Sequence, residues 1–181
     1  MSSWRQNIDG VSHREIGAGV VAAVTALIAS LIYLPTLKTN SLGLSFDARY
    51  WFGYAPQFAL LAGLVVGVVV WRWIMSPAST PKQGAIAGIV TALGTIVLVP
   101  ILAGVYVLLF PLLLGIVAGD EWGYILHLIS AYVPESVRVT RTVAVSWSPL
   151  VGVVLIPLNA FTGWIFQYRR HRTGWGTKPT C

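Results

Sequence analysis

The chain has 181 residues, 56% of them hydrophobic and 10% charged, with a mean hydropathy of +0.74, which excludes an ordinary soluble domain. Its one cysteine, Cys181, excludes an intramolecular disulfide and paired-thiol redox chemistry, and no Cys/His spacing suits zinc. The net charge of +6 suggests an anionic partner, and the positions of the charges decide which kind.

Four runs carry no charge: Ile16–Leu37, Tyr50–Trp71, Gly84–Gly119 and Thr142–Tyr168. Each reaches the about 20 apolar residues that cross a bilayer. The fold class expected is therefore an all-α integral membrane protein with four transmembrane helices, at about 16–37, 50–73, 84–118 and 142–168. They form one transmembrane domain, 16–168, between an N-terminal segment, 1–15, and a basic tail, 169–181.

The first run follows Arg14 and exceeds the 7–15 residues of a signal-peptide core. It leads through Leu34-Pro35-Thr36-Leu37-Lys38 into a polar loop, so it reads as a retained first helix. The loop Lys38–Arg49, with Asn40, Ser41, Gly43, Ser45 and Asp47, reads as turn and coil. After the second run, Ser76–Lys82 contains Pro77 and Pro81 and reads as a stiff extended connector.

The third run is the awkward one. As a straight helix it would measure roughly 50 Å, against a hydrocarbon core of about 30 Å. After it, Glu121–Val133 spaces Ile125, Leu128, Ile129 and Tyr132 along one side and Glu121, Tyr124 and His127 along another. That pattern predicts a short amphipathic helix on the outer interface, ended by Pro134.

Lys and Arg in short loops orient such a chain. With four spans and both ends inside, Arg5, Arg14, Arg72, Lys82, Arg169, Arg170, Arg172 and Lys178 are cytoplasmic, and Lys38, Arg49, Arg138 and Arg141 are outside. Splitting the third run would leave six on each side, so four spans are favoured, N-in and C-in. The aromatics fall into matching belts: Tyr33, Tyr50, Trp51, Phe52, Tyr54, Trp122, Tyr124, Tyr132 and Trp147 outside, and Trp4, Trp71, Trp73, Trp164 and Tyr168 inside. Arg169, Arg170 and Arg172 then bind anionic headgroups, and the basic charge implies lipid rather than nucleic acid.

A faint repeat relates Val24-Thr25-Ala26-Leu27 to Val90-Thr91-Ala92-Leu93, and Ala55-Pro56 to Ser148-Pro149. It suggests two helix pairs related as a parallel repeat. Small residues four apart, at Gly63 and Gly67, Gly84 and Gly88, and Gly115 and Gly119, are helix-packing candidates within the bundle or against another subunit. Asn159, two residues after Pro157, is the most polar residue within a run, and Thr91 and Thr95 are its candidate partners. Together they form either an interhelical hydrogen bond or a site for a solute.

None of the runs contains Asp, Glu, Lys, Arg or His, which argues against ion pumps, proton-coupled carriers and voltage sensors. Asp120, Glu121 and His127 are the densest titratable group, but their spacing misses that of helical metal ligands. No nucleophile elbow, phosphate loop, zinc-protease motif or intramembrane haem-binding histidine is present. The expectation is a non-enzymatic, multi-pass structural or accessory component with no cofactor and no metal. Its expected partners are the bilayer, anionic headgroups and other membrane subunits or further copies of itself. The alternative is a small carrier or channel component for a neutral or weakly polar solute. The expected location is the cell membrane, with a viral envelope as the alternative.

Overall fold

A computed structural model of the chain describes residues 13–35, 43–74 and 80–172, with side chains between residues 16 and 168 of those stretches. The segment 1–12, loop residues 36–42, connector residues 75–79 and the tail from 173 lie outside the described residues. So do the side chains of Arg169, Arg170 and Arg172, the headgroup candidates.

The described chain forms four α-helices: α1 His13–Ile32, α2 Phe46–Ile74, α3 Pro81–Ala118 and α4 Trp122–Arg172. The last three are each long and apolar enough to cross a membrane, and α1 contributes the shorter apolar stretch Ile16–Ile32.

Local chemistry sets both ends of α3. Thr80 caps its start, with the Thr80 hydroxyl accepting from the Gln83 N–H and the Gln83 side chain accepting from the Thr80 N–H at 2.7 Å. Pro81 takes the first helical turn, where its missing N–H costs nothing, so it begins a helix and does not belong to an extended connector. At the far end Gly119 adopts φ 76°, a left-handed conformation that few side chains tolerate. There the Asp120 N–H bonds to the Gly115 carbonyl at 3.0 Å and closes the turn into α4.

The separate interfacial helix expected at Glu121–Val133 is not formed. Residues 122–133 belong to α4, 51 residues long and continuous through Pro134, Pro149 and Pro157. Packing against α3 accounts for the continuity. On one side of Pro134, Gly115 of α3 lies beside Ile125 and Leu128, and on the other Gly104 lies beside Ser136 and Thr140. The Ser136 hydroxyl donates to the Gly104 carbonyl at 2.8 Å. Contacts on both sides keep the two stretches of α4 in line, and tertiary packing outweighs the local preference of proline to end a helix.

The helices pair in sequence order. α1 packs chiefly on α2, α3 packs most extensively on α4, and α2 joins the two pairs through α3. The core is built of small residues between α1 and α2, such as Ala26, Ala55, Ala59 and Ala62, and of larger ones along α4, including Val143, Trp147, Val151 and Leu155. Trp147 is fully buried and Phe52 nearly so, which corrects their expected place in an interfacial belt. Trp73, Trp122, Tyr50 and Tyr124 are exposed. Both copies of the Val-Thr-Ala-Leu motif bury threonine and alanine and expose valine, so the repeated sequence presents the same face in each pair.

Candidate functional site

The polar centre of the bundle lies toward the end that carries Arg72 and Lys82. α3 and α4 approach there until their backbones touch: a Cβ on Gly88 would overlap the carbonyl oxygen of Asn159, and one on Gly84 would overlap that of Gly163. Gly163 is matched from the other side by the Gly84 carbonyl, a pairing that the spacing of glycines along one helix does not reveal. In the first pair, Gly63 lies against Ala22 and Ala23, and Gly67 against Gly19. Four of the glycine candidates thus serve contacts within the chain. Gly115 closes on the turn, and Gly119 forms that turn with nothing near it.

Asn159 is 4% exposed. Its side-chain oxygen accepts from the Thr25 hydroxyl of α1 at 2.8 Å, joining the first helix pair to the second. Thr91 and Thr95 make no hydrogen bond to it. Their hydroxyls donate to Ala87 and Thr91 carbonyls one turn back in α3, both at 2.8 Å. Such back-bonding satisfies a buried hydroxyl without a neighbouring helix. In the sequence Thr25 is marked only by the repeat, because a threonine within an apolar run gives no sign of which helix it will face.

The Asn159 Nδ2 is buried without a hydrogen-bond partner. Beside it lies a cavity of about 20 Å³, with Gly88 and Thr91 from α3, Asn159 and Thr162 from α4, and Ala18 from α1 among its walls. Trp71 and Phe166, which meet edge to face at 5.7 Å, line it toward the helix ends.

A second polar contact follows from a proline. Pro100 has no N–H to offer the Ile96 carbonyl one turn earlier. The Ser148 hydroxyl of α4 donates to that carbonyl at 3.3 Å and takes the place of the missing donor. Around this bond runs an open groove of about 410 Å³, lined by Ile96, Ser148, Pro149, Gly152, Val153 and Pro157 among others and otherwise apolar.

At the opposite end of the bundle, Arg138 of α4 pairs with Asp47 at the start of α2 at 3.0 Å and with Glu135 at 2.7 Å. All three side chains are substantially exposed. α3 passes this level at Gly104 and continues through Val105–Ala118, an uncharged arm that exposes Leu109, Phe110, Leu113, Leu114 and Val117. Among the described residues, no group of three His, Cys, Asp or Glu side chains is arranged to hold a metal ion, and Asp120, Glu121 and His127 form no such group.

No family model matches this chain, and no curated protein or solved structure is significantly similar to it. What the fold defines is a class: among the described residues, an all-helical protein with three helices able to span a membrane.

Proposed function

We infer that the chain is a four-span protein of the cell membrane, N-in and C-in, acting as a structural or accessory component of a membrane assembly and not as a catalyst. Charge levels support the spans. Between Lys82 and the level of the Asp47–Arg138 pair, α3 offers Gly84–Ala103, 20 residues or about 30 Å, which matches a hydrocarbon core. Between Arg49 and Arg72, α2 offers the 22 residues Tyr50–Trp71. Arg169, Arg170 and Arg172 then fall where anionic headgroups attract them.

The observation that carries the accessory role is the arm Val105–Ala118. Beyond the ion pair it adds 14 uncharged residues, about 21 Å, with a row of half-exposed large apolar side chains. A contiguous apolar surface of that kind outside the membrane marks a place where another molecule sits. Photocrosslinkers at Leu113 and Val117, followed by native gels from the source membrane, test the reading. A crosslinked protein partner is expected, whereas a monomer crosslinked only to lipid would overturn it.

The carrier reading rests on Asn159, which lines a cavity together with Thr91. Its size, about 20 Å³, suits one water molecule and not a solute. Solute flux through proteoliposomes that is abolished by Asn159→Ala would place it ahead of the accessory reading.

A further inference from the structure

Asn159 has half of its hydrogen-bonding capacity committed, and it lines a small, mainly apolar cavity that carries few polar groups. Its oxygen faces Thr25, and its buried Nδ2 has no protein partner. A buried amide hydrogen without an acceptor is destabilising, and native structures satisfy nearly all such groups with protein or ordered water. The cavity beside it, about 20 Å³, exceeds the 10–15 Å³ needed to seat one water.

The walls supply what a water needs. Thr91 has committed its hydroxyl proton to the Ala87 carbonyl, and Thr162 has committed its own to the Asn159 carbonyl at 3.0 Å. Each hydroxyl oxygen keeps its lone pairs and is an acceptor only. One donor, Nδ2, and two acceptors, Thr91 Oγ1 and Thr162 Oγ1, match the roughly three bonds of a typical buried water. We propose that this cavity is a binding site for a single ordered water, which accepts from Asn159 and donates to Thr91 and Thr162, and that this water completes the polar joint between α1, α3 and α4.

Thr25 makes the choice of ligand robust. Its hydroxyl carries one proton and lies within reach of two acceptors, the Ala22 carbonyl at 2.9 Å and Asn159 at 2.8 Å. When the proton goes to Ala22, the amide rotates by half a turn and gives Nδ2 to Thr25, and its oxygen then faces the cavity. A metal cation requires acceptors alone and fails in the first orientation. Water donates and accepts, so it serves both. No carboxylate lines the cavity to hold a cation in either case.

The test uses the full chain in micelles with ¹⁵N-asparagine. The sequence contains three asparagines, Asn7, Asn40 and Asn159, so the Asn159 amide is assigned by elimination in Asn7→Gln and Asn40→Gln. Cross-peaks from the Asn159 side chain to water, with nuclear and rotating-frame Overhauser effects of opposite sign, are expected from a long-lived bound molecule. Thr91→Val removes one acceptor at nearly constant volume and should weaken these peaks about fivefold, the equivalent of one ordinary hydrogen bond. Thr162→Val, on another helix, provides the same test should Thr91→Val fail to fold. Absence of water cross-peaks in the wild-type protein, or peaks unchanged by the valine substitutions, would overturn the site.

Discussion

Gly88→Ala should be among the most damaging single-methyl additions in this chain. The new Cβ would overlap the Asn159 carbonyl oxygen and lie 2.6 Å from its carbonyl carbon and 3.0 Å from the Ala160 nitrogen. Carbon–oxygen contacts of this kind normally lie at about 3.3 Å or beyond, so the backbone of α4 must retreat by about 1 Å. Over-packing generally costs about 1–3 kcal/mol. The upper end applies here because the obstacle is helical backbone and cannot change rotamer. Replacing glycine by alanine in a helix returns up to about 1 kcal/mol, leaving a net loss of about 2 kcal/mol. Gly53→Ala, in α2 with nothing near its added methyl, keeps only the gain and is the control. Unfolding in mixed micelles with increasing dodecyl sulfate, followed by circular dichroism, should separate the two variants by about 3 kcal/mol. Moving Asn159 also loosens the Thr25 bond, so Thr25→Val should cost less in the Gly88→Ala background than in the wild type. A Gly88→Ala protein as stable as the wild type would refute the close approach of α3 and α4.

Three further outcomes follow. Spin labels at Trp122 and Val145, with Cys181 replaced by serine, should lie about 35 Å apart along a continuous α4, whereas a right-angle bend at Pro134 would bring them to about 24 Å; pulsed electron resonance distinguishes the two. Ser148→Ala should cost about 1 kcal/mol in the same micelle assay, and nearly nothing in a Pro100→Ala background, where a restored N–H bonds the Ile96 carbonyl. Equal costs in both backgrounds would show that Ser148 does not stand in for the missing donor. An impermeant maleimide should label Cys181 only after the membrane is permeabilised, and labelling of intact, right-side-out cells would overturn the proposed orientation.

The helical class was legible in the chain because an apolar run without charge has one stable form in lipid, with every backbone group bonded within its own segment. The close contacts at Gly63, Gly67, Gly84 and Gly88 had a signal in their four-residue spacing, whereas Gly119, which shares that spacing with Gly115, forms the turn after α3 and packs against nothing. The polar partners were not legible. A buried threonine bonds back to its own helix as readily as across to another, and which it does depends on what lies opposite. Asn159 therefore meets Thr25 and not Thr91 or Thr95.

What the sequence determined by itself was composition-driven: long helices, their apolar extents and the small-residue surfaces that let them approach. What only the tertiary structure decided was the joining. Pro134 would end an isolated helix, yet contacts on both sides of it, Gly115 with Leu128 and Gly104 with Ser136, hold α4 in line for 51 residues. The long uncharged run from Gly84 consequently divides at Gly104, into a stretch of membrane length and an arm beyond the Asp47–Arg138 pair. Local preference is a matter of a few kilocalories per mole, and a neighbouring helix packed along its whole length outweighs it.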